Sequence, residues 1–442
     1  MEPITPYEPG CNWAGNYHYK AKHLYRPRSV AEIQELVICL DKVKALGSRH
    51  CFNDIADSTK ALVSTEHLDQ MVIDENAMTV TLGGGLRYGQ LCPELDRRGY
   101  ALHNLASLPH ISVAGAIATA THGSGVTNGN LGTAVSEIEF VSGTGHLITL
   151  NRWDNADLLS GAIVNLGALG VVTKITLEIE KTFSVRQDVF ETLAFAELTR
   201  NFDEIMSSGY SVSLFTKWQN QTIDQVWVKR RLVEGMNDLP SELFGAKAAT
   251  DHVMPVSGNS GENRTDQMGI PGPWHERLPH FKMGFTPSSG DELQSEYFVP
   301  KHNAVDAILA LDKLHERIGP LLQVSEIRAI AADDQWLSPC YKQNCVAFHF
   351  TWKPEAEAVA KLLPVIEAEL APYKARPHWG KVFSTSSKIL QSLYERLPDF
   401  SELVKTYDPK GRFRNDFINK YIYPARRRPC PPWSATSRTP SG

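Results

Sequence analysis

No run of about 18 apolar residues occurs anywhere in the 442-residue chain, so no membrane-crossing helix is expected. Positive charge is not in excess. The 45 lysines and arginines face 50 aspartates and glutamates, and a net charge of -5 offers no field to hold a nucleic acid backbone. The seven cysteines, Cys11, Cys39, Cys51, Cys92, Cys340, Cys345 and Cys430, are odd in number and scattered, with no C-x-x-C pair. That pattern excludes a disulfide scaffold and a zinc ribbon and points to a reducing compartment. The opening "MEPITPYEPGCNW" lacks a basic stretch leading into an apolar one, so a cytoplasmic protein is expected. "HERLPH" sets His275 and His280 five apart around Pro279, where H-E-x-x-H needs four on an unbroken helix, so no metal site is expected. The G-x-S-x-G elbow is missing too. Neither glycine-rich stretch, "TVTLGGGLRYG" or "HGSGVTNGNLG", matches G-x-G-x-x-G or G-x-x-x-x-G-K-[ST], which excludes dinucleotide-Rossmann and P-loop sites.

What is present is a chain with 42% hydrophobic residues, enough for a large core and for two or three domains. "SVAEIQELVICL" predicts an amphipathic helix capped by Ser29 and Glu32, with Ile33, Leu36, Val37 and Leu40 on its apolar face. The strand "VKALG" follows, then the loop "LGSRHCFN", then two runs of β-like alternation ending in "LGGG". "RYGQLCPELDRRGYAL" predicts a second helix that ends at Gly99, with Tyr88, Leu91 and Leu95 on one face and Pro93 near its start. The strands "SEIEFVSGTGHLITL" and "GVVTKITLEIE" close a first α+β unit near Lys181, and from Thr182 the chain turns to longer, more aromatic strands. Residues 256–273 carry six glycines and prolines among polar residues and read as a long loop, a lid or a mobile segment. The tail 424–442 has no apolar periodicity and reads as disordered.

Glycine lets a backbone approach phosphates closely, but the same glycines also serve hairpin turns, and spacing alone leaves both readings open. The small-residue run from Ser112 to Gly125 fits either a flat cofactor or close helix–strand packing. In "SEIRAI", Glu326 and Arg328 share one strand face. In "NCVAFHFTW", Cys345, Ala347, His349 and Thr351 take one face while Val346, Phe348, Phe350 and Trp352 must face a core. The polar faces of these two strands line either solvent or a cavity. "RPHWGKVF" adds His378 and Lys381 in a turn; a lysine held beside Arg328 would have its pKa lowered by the like charge and become a usable base.

Together with "NWAGN", "LGSRHCFN", "NLASLPHISVAGAIATATHGSG", "NLGALGVVT", "IPGPWHERLPHF", "ELQSEYFVP" and "EIRAIAADDQWLSP", these segments resemble the alditol (xylitol) oxidases. Those are flavoproteins of the vanillyl-alcohol-oxidase type, akin to the sugar-lactone oxidases. The resemblance runs from about Asn12 to Tyr423. It implies an α+β fold with a two-subdomain, PCMH-type FAD-binding domain over 12–181 and a substrate (cap) domain over 182–370, built on an antiparallel sheet flanked by helices. A C-terminal segment, 371–423, would return to the active site. By position His50 would carry FAD covalently, though Arg49 and Cys51 stand where the family motif has glycine and serine. An arginine replacing a glycine of positive φ would be strained. The resemblance further implies FAD contacts from Ala45, Leu46, Gly47, Ser48, Arg49, His50 and Cys51, from Ser107, Ser112, Val113, Ala114 and Gly115, and from His122, Gly123, Gly170, Val172 and His378. Polyol contacts would come from Ser107, Glu326, Arg328, Thr351 and Lys381. The implied reaction oxidises the primary alcohol of xylitol or sorbitol to the aldose and reduces oxygen to hydrogen peroxide, with Lys381 or His349 as base and Arg328 stabilising the alkoxide. A sugar-lactone oxidase or dehydrogenase is the alternative. A monomer with a small-molecule substrate is expected, without nucleic acid or membrane as partner.

Overall fold

A computed structural model describes residues 7–255, 263–284 and 292–423. The first helix, Val30–Cys39, begins where Ser29 Oγ accepts from the Glu32 N–H at 3.2 Å, and it buries Ile33, Leu36 and Val37. The Glu32 carboxylate in turn accepts from the N–H of Arg28 at 2.7 Å, one residue before the cap. The second helix, Tyr88–Arg97, buries Tyr88, Leu91, Cys92 and Leu95, and the chain leaves it through Gly99 at φ 82°. Pro93 is not near the start of this helix but in its middle, where it removes the bond its N–H would have made to the carbonyl of Gly89. Burial of the flanking Leu91, Cys92 and Leu95 keeps the helix there.

The long strands are β1 (His23–Tyr25), β2 (Val43–Leu46), β3 (Ala61–Ser64), β4 (Met71–Asp74), β5 (Thr79–Gly83), β6 (Val135–Ser142), β7 (Leu147–Asn151) and β8 (Gly170–Glu178). They continue as β9 (Ser184–Ala194), β10 (Ser211–Thr216), β11 (Thr222–Arg231), β12 (Leu293–Pro300), β13 (Leu322–Ile330) and β14 (Cys345–Trp352). β1, β3 and β2 form a small parallel sheet, and β4-β5-β8-β6-β7 an antiparallel one. A parallel pair cannot be joined by a tight hairpin. The connection from β2 to β3 is therefore a long crossover, and that crossover is the loop carrying His50.

The third sheet follows the path β9-β11-β10-β13-β14-β12, antiparallel throughout and extended by short strands to ten. Its rear face, including Val346, Phe348, Phe350 and Trp352, packs against the helices Ala304–Asp312 and Ala356–Leu370. Each large side chain so buried contributes roughly 1.5–3 kcal/mol of transfer free energy. The front face is left for polar groups. The architecture is the expected α+β combination of two smaller sheets and one large antiparallel sheet backed by helices.

After β14 the chain returns to the small sheets. Asn415 Nδ2 donates to the carbonyls of Asp54, Ile55 and Asp57, and Lys44 Nζ donates to those of Leu166, Gly167 and Phe413. In the loop 256–273, the described part from 263 is pinned by buried Thr265 and Gln267, the latter exchanging two hydrogen bonds with Val253. Residues 256–262 and the tail 424–442, on which the lid and disorder expectations fall, lie outside the described residues. Among the described residues no helix is long and apolar enough to cross a membrane, and no cluster of side chains could hold a metal ion.

Candidate active site

The crossover after β2 packs against the segment that opens the helix Val113–Ala118. Contact is so close that a Cβ on Gly47 would lie 2.6 Å from Ser112 Oγ, and one on Gly115 2.7 Å from the same atom. Ser48 Oγ accepts from the Ser112 N–H at 2.9 Å, while Ser112 Oγ is buried without a partner. Arg49 does occupy the left-handed region, at φ 64°, and its guanidinium donates to the carbonyls of Pro9 and Cys11. The strain of an L-residue there is offset by these tethers to the N-terminal segment.

His50 lies between Trp13, stacked at 5.1 Å, and His110, at 4.6 Å between ring centroids. Both of its ring nitrogens are buried with no hydrogen-bond partner of ordinary geometry. Burial, and then the neighbouring His110, push its pKa down to about 3, so the imidazole is neutral and its lone pair available. The loop is fastened directly to the turn that carries Lys381. Phe52 N–H donates to the Gly380 carbonyl at 2.8 Å, and Asn53 Nδ2 to the carbonyls of Trp379 and Lys381 at 2.8 and 2.9 Å.

The opposite wall is the front of the large sheet. Register places Glu296, His349 and Glu326 side by side on β12, β14 and β13. Glu296 accepts from Arg328 Nη2 at 2.8 Å and from Lys381 Nζ at 2.7 Å, and His122 Nε2 lies 3.2 Å away. Burial alone would raise this carboxyl, but Lys381, His122 and Arg328 together outweigh it and hold Glu296 well below the usual carboxylate range. Glu326 is depressed in the same way, with Arg328 and His280 overcoming its burial. Lys381 is lowered first by burial and then by Arg328, while its pairing with Glu296 opposes both. His349 and His378 are held well below the ordinary histidine value by burial and then by the Lys381 charge.

One cavity of about 540 Å³ joins the two walls. Its lining includes Ala45 to Cys51, Ser107, Ser112, Ala114, Gly115, His122, Gly170, Val172 and His378, and on the far side Glu326, Arg328, His349, Thr351 and Lys381. Two of the named cofactor residues stand apart. Val113 is fully buried with its N–H given to the Leu86 carbonyl, and Gly123 packs behind His122, where a Cβ would meet the Leu105 carbonyl oxygen at 2.4 Å. The polar face of β14 also divides along its length. His349 and Thr351 line the cavity, whereas Cys345 and Ala347 join a small apolar cluster with Phe298 and Ile330. Sequence reasoning passed over Glu296, His110 and Trp13, and weighed His280 only as a metal ligand. A lone carboxylate in the otherwise apolar run "SEYFVP" was a signal for the first; the other three become visible only through tertiary contact.

A family described as D-arabinono-1,4-lactone oxidase matches residues 291–421, and an FAD binding domain matches residues 21–151. An alditol oxidase from a Streptomyces species is 45% identical over 93% of this chain and 98% of its own. The chain belongs to the alditol oxidase family of FAD-linked oxidases. More distant members are an L-gulono-1,4-lactone dehydrogenase of Mycobacterium tuberculosis, 27% identical over 96% of this chain and 100% of that one, and an L-gulonolactone oxidase of Mus musculus, 23% identical over 93% and 98%. The crystal structure of cholesterol oxidase from B. sterolicum superposes with a TM-score of 0.78 at 16% identity, covering 95% of this chain and 97% of that one, and shares the fold. FAD is the cofactor of this family member. The residues present fit it: the cavity is lined by Gly47 and Gly115, where a Cβ would crowd Ser112 Oγ, and by Ser112 and His50, whose buried Oγ and ring nitrogens lack a hydrogen-bond partner of ordinary geometry.

Proposed function

We propose that the protein oxidises the terminal primary alcohol of an alditol such as xylitol or sorbitol to the aldose, with oxygen as acceptor and hydrogen peroxide as co-product. The observation that carries this reading is the single cavity in which the glycine- and serine-lined cradle around His50 faces a wall of Glu326, Arg328, His349, Thr351 and Lys381. Two buried carboxylates set against cationic partners recognise neutral hydroxyls, which both accept and donate hydrogen bonds. Residues 12–181 would act as the FAD-binding unit, 182–370 as the substrate unit and 371–423 as the returning segment. His50, neutral and unpartnered, is the proposed point of covalent attachment.

In this mechanism Ser107, Glu326 and Thr351 hold the distal hydroxyls. His349 Nε2 or Nδ1 takes the proton of the reacting hydroxyl; its neutrality keeps a lone pair ready, and the flanking carboxylates of Glu296 and Glu326 stabilise the imidazolium that forms. Lys381 and Arg328, fixed by Glu296, stabilise the developing alkoxide. When bound, FAD supplies the acceptor for the carbon-bound hydrogen and its electron pair and hands the electrons to oxygen. Six unpaired cysteines among the described residues support a cytoplasmic location, and we take the protein to act as a monomer on a small molecule.

The match of residues 291–421 to the arabinonolactone oxidases favours a second reading, oxidation of a sugar lactone or use of another acceptor. Anaerobic mixing with xylitol is expected to bleach the flavin band, and readmitted air to yield peroxide. Bleaching by lactones alone would replace the first reading with the second.

A further inference from the structure

We propose that His280, oriented by Lys229, is a positioning residue that makes Glu326 and Ser107 one rigid frame for the polyol. The inference rests on the alditol reading of this cavity.

His280 Nε2 lies 2.8 Å from Glu326 Oε1, and the backbone N–H groups of His280 and Phe281 donate to the Ser107 carbonyl at 3.3 and 3.4 Å. The same residue therefore touches a hydroxyl-binding carboxylate on the large sheet and a hydroxyl-binding serine from the cofactor side. The imidazole cannot tilt freely. Phe215 and Trp227 approach it edge-on at 5.4 and 5.2 Å, with interplanar angles of 67° and 82°.

On its other side stands Lys229, on β11 and 1% exposed. Its Nζ donates to the carbonyls of Leu278 and Pro279 at 2.5 and 3.0 Å and lies 3.3 Å from His280 Nδ1. An ammonium has only donors, so Nδ1 facing it must accept. In a neutral imidazole the proton is then on Nε2 and points at Glu326. Burial holds His280 below the ordinary histidine value despite Glu326, so the ring carries only one proton. Burial also pushes Lys229 down to about 7; the ammonium form, with three N–H groups for the Leu278 and Pro279 carbonyls and His280 Nδ1, is the one that sets this tautomer. Glu326 Oε1 is thereby occupied, while Oε2 lies 3.6 Å from Arg328 Nε, past hydrogen-bond distance, in a residue that lines the cavity. The chemistry selected is a hydroxyl that donates to a fixed carboxylate oxygen away from the reacting carbon.

Steady-state kinetics of FAD-loaded His280→Phe, His280→Gln and Lys229→Met test the frame. His280→Phe is expected to raise KM for xylitol roughly ten- to hundred-fold, the scale of one lost charge-assisted hydrogen bond, with a smaller change in kcat. His280→Gln keeps a donor to Glu326 and should recover most of the loss. Lys229→Met should fall between them. With propylene glycol, which lacks the distal hydroxyls, the His280→Phe penalty should shrink to about threefold or less, because the coupled partner is missing. Equal penalties for both substrates, or an unchanged KM for xylitol in His280→Phe and Lys229→Met, would overturn the proposal. Should His280→Phe fail to hold FAD, His280→Gln and Lys229→Met carry the same comparison. If wild-type enzyme is not reduced by xylitol at all, the functional reading falls first and this frame with it; reduction of wild type with unaffected variants removes the frame alone.

Discussion

Glu296 holds two cations with one carboxylate, and that arrangement divides the labour among its neighbours. Lys381 is fixed as a charge by the 2.7 Å contact, whereas His349 is kept neutral. Substitution of Lys381 by methionine should lower kcat by roughly 10²- to 10³-fold, the scale of one lost transition-state charge contact, while the flavin absorbance per chain stays at the wild-type level. Parallel loss of both would make Lys381 structural. The two base candidates also separate by pH. A base works only when deprotonated, so with His349 in that role kcat/KM should be level through neutrality and fall only below the ordinary histidine value of about 6.5. A rise continuing well above neutrality would transfer the role to Lys381. At this scale the sequence disclosed Glu326, Arg328, His349 and Lys381 through strand alternation and one turn. It withheld Glu296 and His280, because a buried carboxylate and a clamped histidine are defined by partners 85 and 46 residues away.

Among the elements, the parallel β1-β3-β2 sheet matters most, since its crossover sets out the His50 loop with Arg49 at positive φ. Arg49→Gly relieves the backbone and Arg49→Ala does not, although both lose the tethers to Pro9 and Cys11. The glycine variant should therefore be the more stable by about 1 kcal/mol, read as a higher thermal midpoint. Gly170, at the start of β8, leaves no such freedom. A Cβ there would sit 2.2 Å from the Val141 carbonyl oxygen, a backbone atom held in the neighbouring strand. Gly170→Ala should cost about 1–3 kcal/mol and reduce FAD content, measured by thermal unfolding and by flavin absorbance. Helix caps and strand faces were readable from local pattern. Pro93 was not placed correctly, because tertiary burial of Leu91, Cys92 and Leu95 outweighs the local penalty of a proline within a helix.

For the molecule as a whole, the buried histidines set the response to acid. Burial lowers His122, His280, His349 and His378, so below about pH 6.5 the unfolded chain binds protons that the folded one does not. Each contributes up to about 1.4 kcal/mol of lost stability per pH unit until its folded pKa is reached. Glu296 and Glu326 have depressed folded values, and their contribution is present above the ordinary carboxylate range, so it stays intact in this window. The thermal midpoint should thus drop steadily between pH 6.5 and 5; a flat profile would mean that these rings are already charged in the native state. Overall layering was legible from the change in texture near residue 181. The return of the C-terminal segment to the active site was implied by the family resemblance and not by local pattern, since it rests on contacts spanning more than 300 positions. Asn53 and Phe52 hold the backbone of Trp379, Gly380 and Lys381. Under the proposed function, flavin anchorage and alcohol activation form one heritable module written at two distant places: a chimera between relatives that exchanges residues 47–53 without 376–381 would join halves that did not evolve to hold each other.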